Sequence, residues 1–259
     1  MSLGIIMKSP EGLVLAAESR LTLMGSVPVT FDHATKVLSF RPPHTHMGAV
    51  TYGQAAIGLR TANSLLPELE AVLPPQRAPV DQFAQSLEQF FTQQWHASMP
   101  LPYQGSNMEF VVAGFDEGAP YGRIFTLGVP NRPMAEIYPG ATFGFIWGGQ
   151  QEYVDRVVKG VDTRFIEAIS NDPTLSDPQK QSLLAHVPQL EMPIPFEAMP
   201  LQDCVHLAIF LIRTTIAAQK LTVGVRGCGG HIDVAIITRS GALKFLQQKE
   251  LRGENEGAS

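Results

Sequence analysis

The chain opens on two unbroken apolar runs, Leu3 to Met7 and Leu13 to Ala17, separated by Lys8-Ser9-Pro10-Glu11-Gly12. A segment of turn composition between two strand-length apolar runs predicts a β-hairpin. Neither run alternates with polar residues, so both strands read as largely buried. A second pair, Thr35 to Phe40 and Met47 to Tyr52, flanks Arg41-Pro42-Pro43-His44, where two prolines forbid continued ladder pairing.

The apolar spacing then becomes helical. Ala55, Leu59, Ala62, Leu65, Leu66 and Leu69 predict a helix from Gln54 to about Leu73, kinked at Pro67 and ended by Pro74-Pro75. Phe83, Leu87, Phe90, Phe91 and Trp95 predict a second helix from Val80 to Met99 with one buried side. Four strand-like runs follow: Glu109 to Phe115, Arg123 to Val129, Met134 to Tyr138 and Thr142 to Trp147. Helical spacing returns over Tyr153 to Ser170, Pro178 to His186 and Pro200 to Gln219, and Ile232 to Thr238 with Ala242 to Gln247 form a closing hairpin. Strands and helices arranged in blocks, rather than in strict βαβ alternation, point to an α+β fold of antiparallel sheets with helices on their outer faces. The expected architecture is a four-layer αββα sandwich in one domain over residues 1–251, with a frayed tail at 252–259.

Composition narrows the partners. Hydrophobic residues make up 44% of the chain and charged ones 17%, which argues against disorder and for a surface partly covered by copies of the same chain. Lysine and arginine number 19 against 24 acidic residues, with no basic stripe to neutralise phosphates, so nucleic acid is not an expected partner. Two cysteines, Cys204 and Cys228, are too few for a disulfide framework and read as reduced, buried small hydrophobes. The N-terminus lacks a charged segment followed by a long apolar one, so a cytoplasmic location is expected. No run approaches the ~20 consecutive apolar residues of a membrane helix, and no membrane partner is expected.

Longer stretches carry a resemblance. Ser2-Leu3-Gly4-Ile5-Ile6-Met7-Lys8, then Gly12-Leu13-Val14-Leu15-Ala16-Ala17-Glu18-Ser19-Arg20-Leu21-Thr22, resembles the start of a proteasome β subunit. The resemblance continues through Thr35-Lys36-Val37-Leu38 and Tyr52-Gly53-Gln54-Ala55-Ala56, and reaches Gly227-Cys228-Gly229-Gly230-His231-Ile232-Asp233 near the end. It spans nearly the whole chain and is nearer to bacterial proteasome-related groups, Anbu and the β-proteasome homologue, than to an α subunit, whose first strand follows an extra helix. It implies the N-terminal-nucleophile hydrolase fold and the chemistry of threonine peptidases. There, a chain-terminal hydroxyl attacks the peptide carbonyl and the same residue's α-amine accepts the proton.

Carried over by position, the family's lysine is Lys36 and its acidic residue is Glu18, where aspartate is more usual. Alignment on Gly4 puts the nucleophile before the chain begins, whereas alignment on Gly12 to Glu18 puts Ser2 in its place. The second anchor is preferred, because a turn changes length more readily than a strand changes register. Removal of Met1 leaves Ser2 with a free amine beside its hydroxyl. Gly53 matches the glycine whose N–H faces the oxyanion, and Thr22 a position whose backbone pairs with bound peptide. The acidic residue expected before the closing glycines falls in Val223-Gly224-Val225-Arg226, which carries none.

The resemblance therefore implies a homo-oligomer, as a ring or a helical assembly, with a peptide substrate, an ATPase unfoldase as companion and no cofactor. A non-catalytic scaffold subunit and an amidohydrolase of small amides stay open as alternatives, since fold does not choose a substrate. His44-Thr45-His46 offers two imidazoles, fewer than zinc requires. Gly148-Gly149 and Gly227 to Gly230 lack the spacing of a phosphate loop.

Overall fold

The structure is a computed structural model, and it describes residues 2–23, 29–100, 102–251 and 253. The opening hairpin is strand β1 (Leu3–Ser9) with β2 (Gly12–Glu18), and every residue of both strands is buried. A short pair follows, β3 (Leu21–Leu23) with β4 (Val29–Phe31). Next come β5 (Val37–Ser39), β6 (Met47–Gly53), the helices α1 (Leu66–Val72) and α2 (Val80–Ser98), and strands β7 (Met108–Gly114), β8 (Arg123–Val129), β9 (Arg132–Ile137) and β10 (Gly144–Gly149). Helices α3 (Glu152–Val158), α4 (Thr163–Asn171), α5 (Asp177–Leu184) and α6 (Leu201–Leu221) precede the final strands β11 (Ile232–Ile237) and β12 (Lys244–Gln247).

The strands form two five-stranded antiparallel sheets, one in the order β10-β1-β2-β11-β12 and one in the order β5-β6-β7-β8-β9. Between them, Ile6, Leu13, Leu15 and Ala17 of the first sheet meet Val37, Val50, Val111 and Ala113 of the second. The other face of the first sheet, with Ile5, Met7, Val14 and Ala16, packs on Val205, Ala208, Leu211 and Ile212 of α6 and on Val154 and Val158 of α3. The other face of the second sheet, with Ala49, Phe110, Val112 and Leu127, receives Phe83, Leu87, Phe91 and Trp95 of α2. This is why β1 and β2 alternate nothing: odd and even residues serve different cores.

Several expectations need correction. The helix expected from Gln54 begins only after a 3-10 turn at Asn63–Leu65, because Gly58 sits at φ +57° and Ile57 pairs with Arg60 in a tight turn that leaves Leu59 fully exposed. Pro67 does not kink a helix; it occupies the first turn of α1, where its missing N–H costs nothing. Tyr153 to Ser170 is broken into α3 and α4 around Gly160, whose φ of +77° an L side chain rarely adopts. The β3–β4 pair was not anticipated, since Leu23, Val29 and Phe31 are exposed and show no alternation against a core. Apart from Gly253, the expected tail at 252–259 lies outside the described residues. Helix α6 is long and apolar enough to cross a membrane by length and composition, with a mean hydropathy of 1.3, although one face of it packs on the first sheet.

Both histidines of the second turn are buried, and each Nε2 lies against a backbone carbonyl, His44 on Pro74 and His46 on Ala78. They staple that turn to the segment before α2, and no metal-binding cluster occurs among the described residues. Burial disfavours the imidazolium and lowers the pKa of His46 below its ordinary 6.5. The unfolded chain therefore takes up this proton first, so the contribution of His46 is complete above pH 6.5 and is lost as pH falls below it. His46→Gln should flatten the decline in melting temperature between about pH 7 and 5. Trp95→Ala, which empties a fully buried site, should cost about 3–5 kcal/mol in urea unfolding.

Candidate active site

Four of the five residues singled out in the sequence converge where the ends of the two sheets meet. Ser2 precedes β1, Glu18 ends β2, Lys36 stands just before β5, and Gly53 ends β6. Ser2, Lys36 and Gly53 line one cleft with Leu21, Ala34 and Gln54, and about 30 Å³ of it is open to water. Thr22 is not on that wall. It is buried in β3 opposite Thr30, and it is Leu21, one residue earlier, that lines the cleft.

Glu18 is the fixed point of the site. Its side chain is wholly buried, and Oε1 accepts from Leu3 N–H (3.2 Å) and from the Lys36 ammonium. Oε2 accepts from Arg20 N–H (2.7 Å) and Gly229 N–H (2.9 Å). Lys36 Nζ also donates to the Arg20 carbonyl. A buried carboxylate with this set of donors is satisfied, and the lysine it holds is a cation with little freedom to turn away. Removing one partner of such a pair leaves the other charge uncompensated.

Strand geometry aims a donor into the cleft. Thr51 N–H donates to the Lys36 carbonyl (3.0 Å), whereas Gln54 N–H donates to Asn107 on the opposite side (2.8 Å). Backbone N–H groups alternate along a strand, so Gly53 N–H points to the Lys36 side, beyond the end of β5. Gly53 has φ +82°, and a Cβ there would collide with the Asn107 carbonyl.

The two glycine-rich stretches set aside as phosphate loops frame the same site. Gly149, at φ +95°, turns the chain out of β10 so that Gln150 N–H donates to the Ser2 carbonyl (2.6 Å), and any side chain at Gly149 would strike that carbonyl. Gln219 of α6 is buried; its Nε2 donates to Gln150 Oε1 (3.1 Å) and its Oε1 accepts from Cys228 N–H (2.8 Å). Next to Cys228, Gly229 supplies one N–H to Glu18 and accepts Ser19 N–H at 3.1 Å. Gln150 and Gln219 thus tie the closing segment to Ser2 where no acidic residue is present. Sequence reading missed both, and its one clue was the unexplained Gly-Gly pair before α3. Cys228 is buried beside Glu18, and burial with that carboxylate raises its thiol pKa, which keeps it protonated.

No protein-family model and no curated protein matches the sequence. Solved structures do. Anbu of Pseudomonas aeruginosa, determined as a helical assembly of the Anbu complex, superposes with a TM-score of 0.62 at 16% identity, over 96% of this chain and 88% of that one. Anbu of Yersinia bercovieri, described as an ancestral β subunit, gives 0.59 at 16% identity over 96% and 88%. Anbu of Hyphomicrobium sp. strain MC1 gives 0.58 at 14% identity over 98% and 89%. The chain has the fold of the Anbu proteins. At these identities the likeness concerns the fold, and it extends over nearly the whole chain.

Within the Anbu fold, the site's frame makes separable demands on stability. Glu18→Ala, which strands the Lys36 ammonium and three backbone N–H groups, should cost about 3–5 kcal/mol in chemical unfolding. Gln219→Ala, which frees only the neutral Cys228 N–H and the Gln150 amide, should cost about 1–3 kcal/mol.

Proposed function

We propose that this chain is a self-assembling, cytoplasmic subunit of proteasome type, a single four-layer αββα domain that hydrolyses peptide bonds with Ser2 as its N-terminal nucleophile. The observation that carries this reading is the Glu18–Lys36 pair, buried at the floor of a cleft that also holds Ser2 and Gly53. The helical assembly recorded for the Pseudomonas aeruginosa protein supports self-association. An ATPase unfoldase would be the companion that feeds peptide to such an assembly.

In this mechanism Met1 is removed, and the Ser2 hydroxyl attacks the substrate carbonyl while the Ser2 α-amine takes its proton. Gly53 N–H stabilises the oxyanion. The Lys36 cation, held in place by Glu18, lowers the cost of negative charge in the cleft. The proton passes to the departing amine as the peptide bond breaks, and water then hydrolyses the ester on Ser2. Thr22 lies in the strand beside the cleft, from which its backbone would pair with an extended substrate. Serine lacks the methyl group that restrains χ1 in threonine, so its hydroxyl is less pre-positioned and turnover is slower.

One observation favours the non-catalytic scaffold: the cleft at Ser2 itself has an open volume of about 30 Å³, room for about one or two waters, and the larger cavity of about 380 Å³ that shares Tyr52 and Gly53 with it is not lined by Ser2 or Lys36. Intact mass and covalent labelling separate the readings. The catalytic reading expects loss of Met1 and one adduct per subunit with a peptide epoxyketone, which requires hydroxyl and amine together, and no adduct with Ser2→Ala. A retained Met1, or an unlabelled Ser2 in protein that has lost Met1, assigns the chain to the scaffold. Turnover of short amides with peptides spared assigns it to the small-amide hydrolases.

A further inference from the structure

The second sheet carries a charged side chain where its neighbours are apolar. Across the ends of β6, β7, β8 and β9, Tyr52 pairs with Glu109, Glu109 with Gly128 and Gly128 with Arg132, which makes one cross-strand row on one face. Tyr52 packs in the layer between the sheets, and so does Val111, two residues along β7 from Glu109. Glu109 therefore points into that layer, with its side chain 19% exposed. It lines a cavity of about 380 Å³ together with Tyr52, Gly53, Asn107, Trp147 and Gly149. That volume is at the small end of ligand pockets and suits one long side chain. The cavity adjoins the reactive end of the chain: Gly53 belongs both to it and to the cleft of Ser2, and Gly149 lies against the Ser2 carbonyl.

Glu109 and Arg132 are the charged residues of the cavity wall. A Cβ at Gly128 would strike the Glu109 carboxyl group, so the strand beside it is cut back to make room for that group. The pairing with Arg132 is incomplete. Arg132 Nη2 lies 2.6 Å from Glu109 Oε2, but neither Oε2 nor Arg132 Nε, both buried, has a well-aligned hydrogen bond. Burial raises the Glu109 pKa above its ordinary 4.5 even with that guanidinium beside it, so the carboxylate's demand for positive charge is not met in full. Arg132 is the more exposed partner, at 41%, and it also lines an open cavity of about 510 Å³ that contains Glu88. Turning into that cavity would exchange one carboxylate for another and leave Glu109 to a guest of the same charge.

We infer that Glu109 is a specificity-determining residue that takes a lysine or arginine side chain next to the bond held at Ser2, with Arg132 as the internal cation that this guest displaces. The inference rests on the peptidase reading above and adds to it the class of side chain selected. A glutamate side chain would meet the Glu109 carboxylate, and an apolar one would cover that carboxylate without giving it a new partner.

Trp147 lines the cavity and the other tryptophan, Trp95, is buried on the far face of the second sheet, so tryptophan fluorescence reports occupancy. Capped pentapeptides with lysine, norleucine or glutamate between pairs of alanines are titrated into Ser2→Ala protein, which cannot consume them. The lysine peptide should bind about tenfold more tightly than the other two. Glu109→Gln should bring all three within about threefold of one another, whereas Arg132→Met should tighten the lysine peptide about threefold, a gain that impaired folding cannot produce. The inference falls if the lysine peptide has no advantage, if Glu109→Gln keeps it, if Arg132→Met weakens it, or if none of the peptides binds. A preference for glutamate that Arg132→Met abolishes assigns the cavity to acidic side chains and overturns it equally. The peptidase reading is separated by the epoxyketone. A lysine preference with no adduct on the parent protein leaves this site standing and removes hydrolysis, and an adduct with no lysine preference does the reverse.

Discussion

The carboxylate of Glu18 is the interaction on which the rest of the architecture turns. It sits at the end of β2, fully out of water, and gathers N–H groups from β1, from the turn after β2 and from the segment before β11, together with the ammonium of Lys36 from the opposite sheet. Burying an unpaired carboxylate would be prohibitive, so the sheet ends have one arrangement that satisfies it. That arrangement brings Ser2, Lys36 and Gly53 to one cleft. The electrostatic demand of a single side chain thus does two jobs, registering the sheets against each other and assembling a constellation able to stabilise negative charge.

The parts of the fold that were legible in the sequence are those where burial is two-sided or strictly periodic. The unbroken runs at Leu3 and Leu13 announced interior strands because both faces of the first sheet are covered, and Phe83 to Trp95 announced α2 because one face is. The failures share a cause. Between Gln54 and Ala62, and again between Tyr153 and Ser170, the apolar residues had helical spacing, but Gly58 and Gly160 hold backbone angles that override spacing locally, and nothing in composition marks a glycine as left-handed. The site divides in the same way. Ser2, Glu18, Lys36 and Gly53 lie in or beside strands whose register transfers from a resemblance, whereas Gln150 and Gln219 act from a loop and a helix 69 residues apart, a pairing visible only in three dimensions.

That glutamine bridge bears on how the site manages without the acid expected near Arg226. An acidic residue there would add a charge needing its own counter-ion in a region that already buries Glu18 and Lys36. Gln219 instead offers a neutral donor and acceptor at once, holding Cys228 N–H with one end and Gln150 with the other. Cys228 lies next to the chain segment that supports Glu18, and its raised pKa keeps it from adding a second anion. The frame is therefore rigid without further buried charge, at the expense of a group that could tune the Ser2 amine. Under the proposed mechanism, Ser2 would then have Lys36 as the nearby cation and no second acid to tune its amine, which fits slow turnover.

Helix α6 links this site to the core of the first sheet. The inner face packs on β1 and β2, and Gln219, on its last turn, reaches the loop that grips Ser2. Gln219 is buried in the last turn of α6, so fraying of that turn would release the Gln219 amide. Helix ends are the least stable part of a helix, whose last carbonyls lack partners within it. The order of the Ser2 frame therefore depends on how well this last turn is held, and the bond from Cys228 N–H to Gln219 Oε1 ties it to the closing segment.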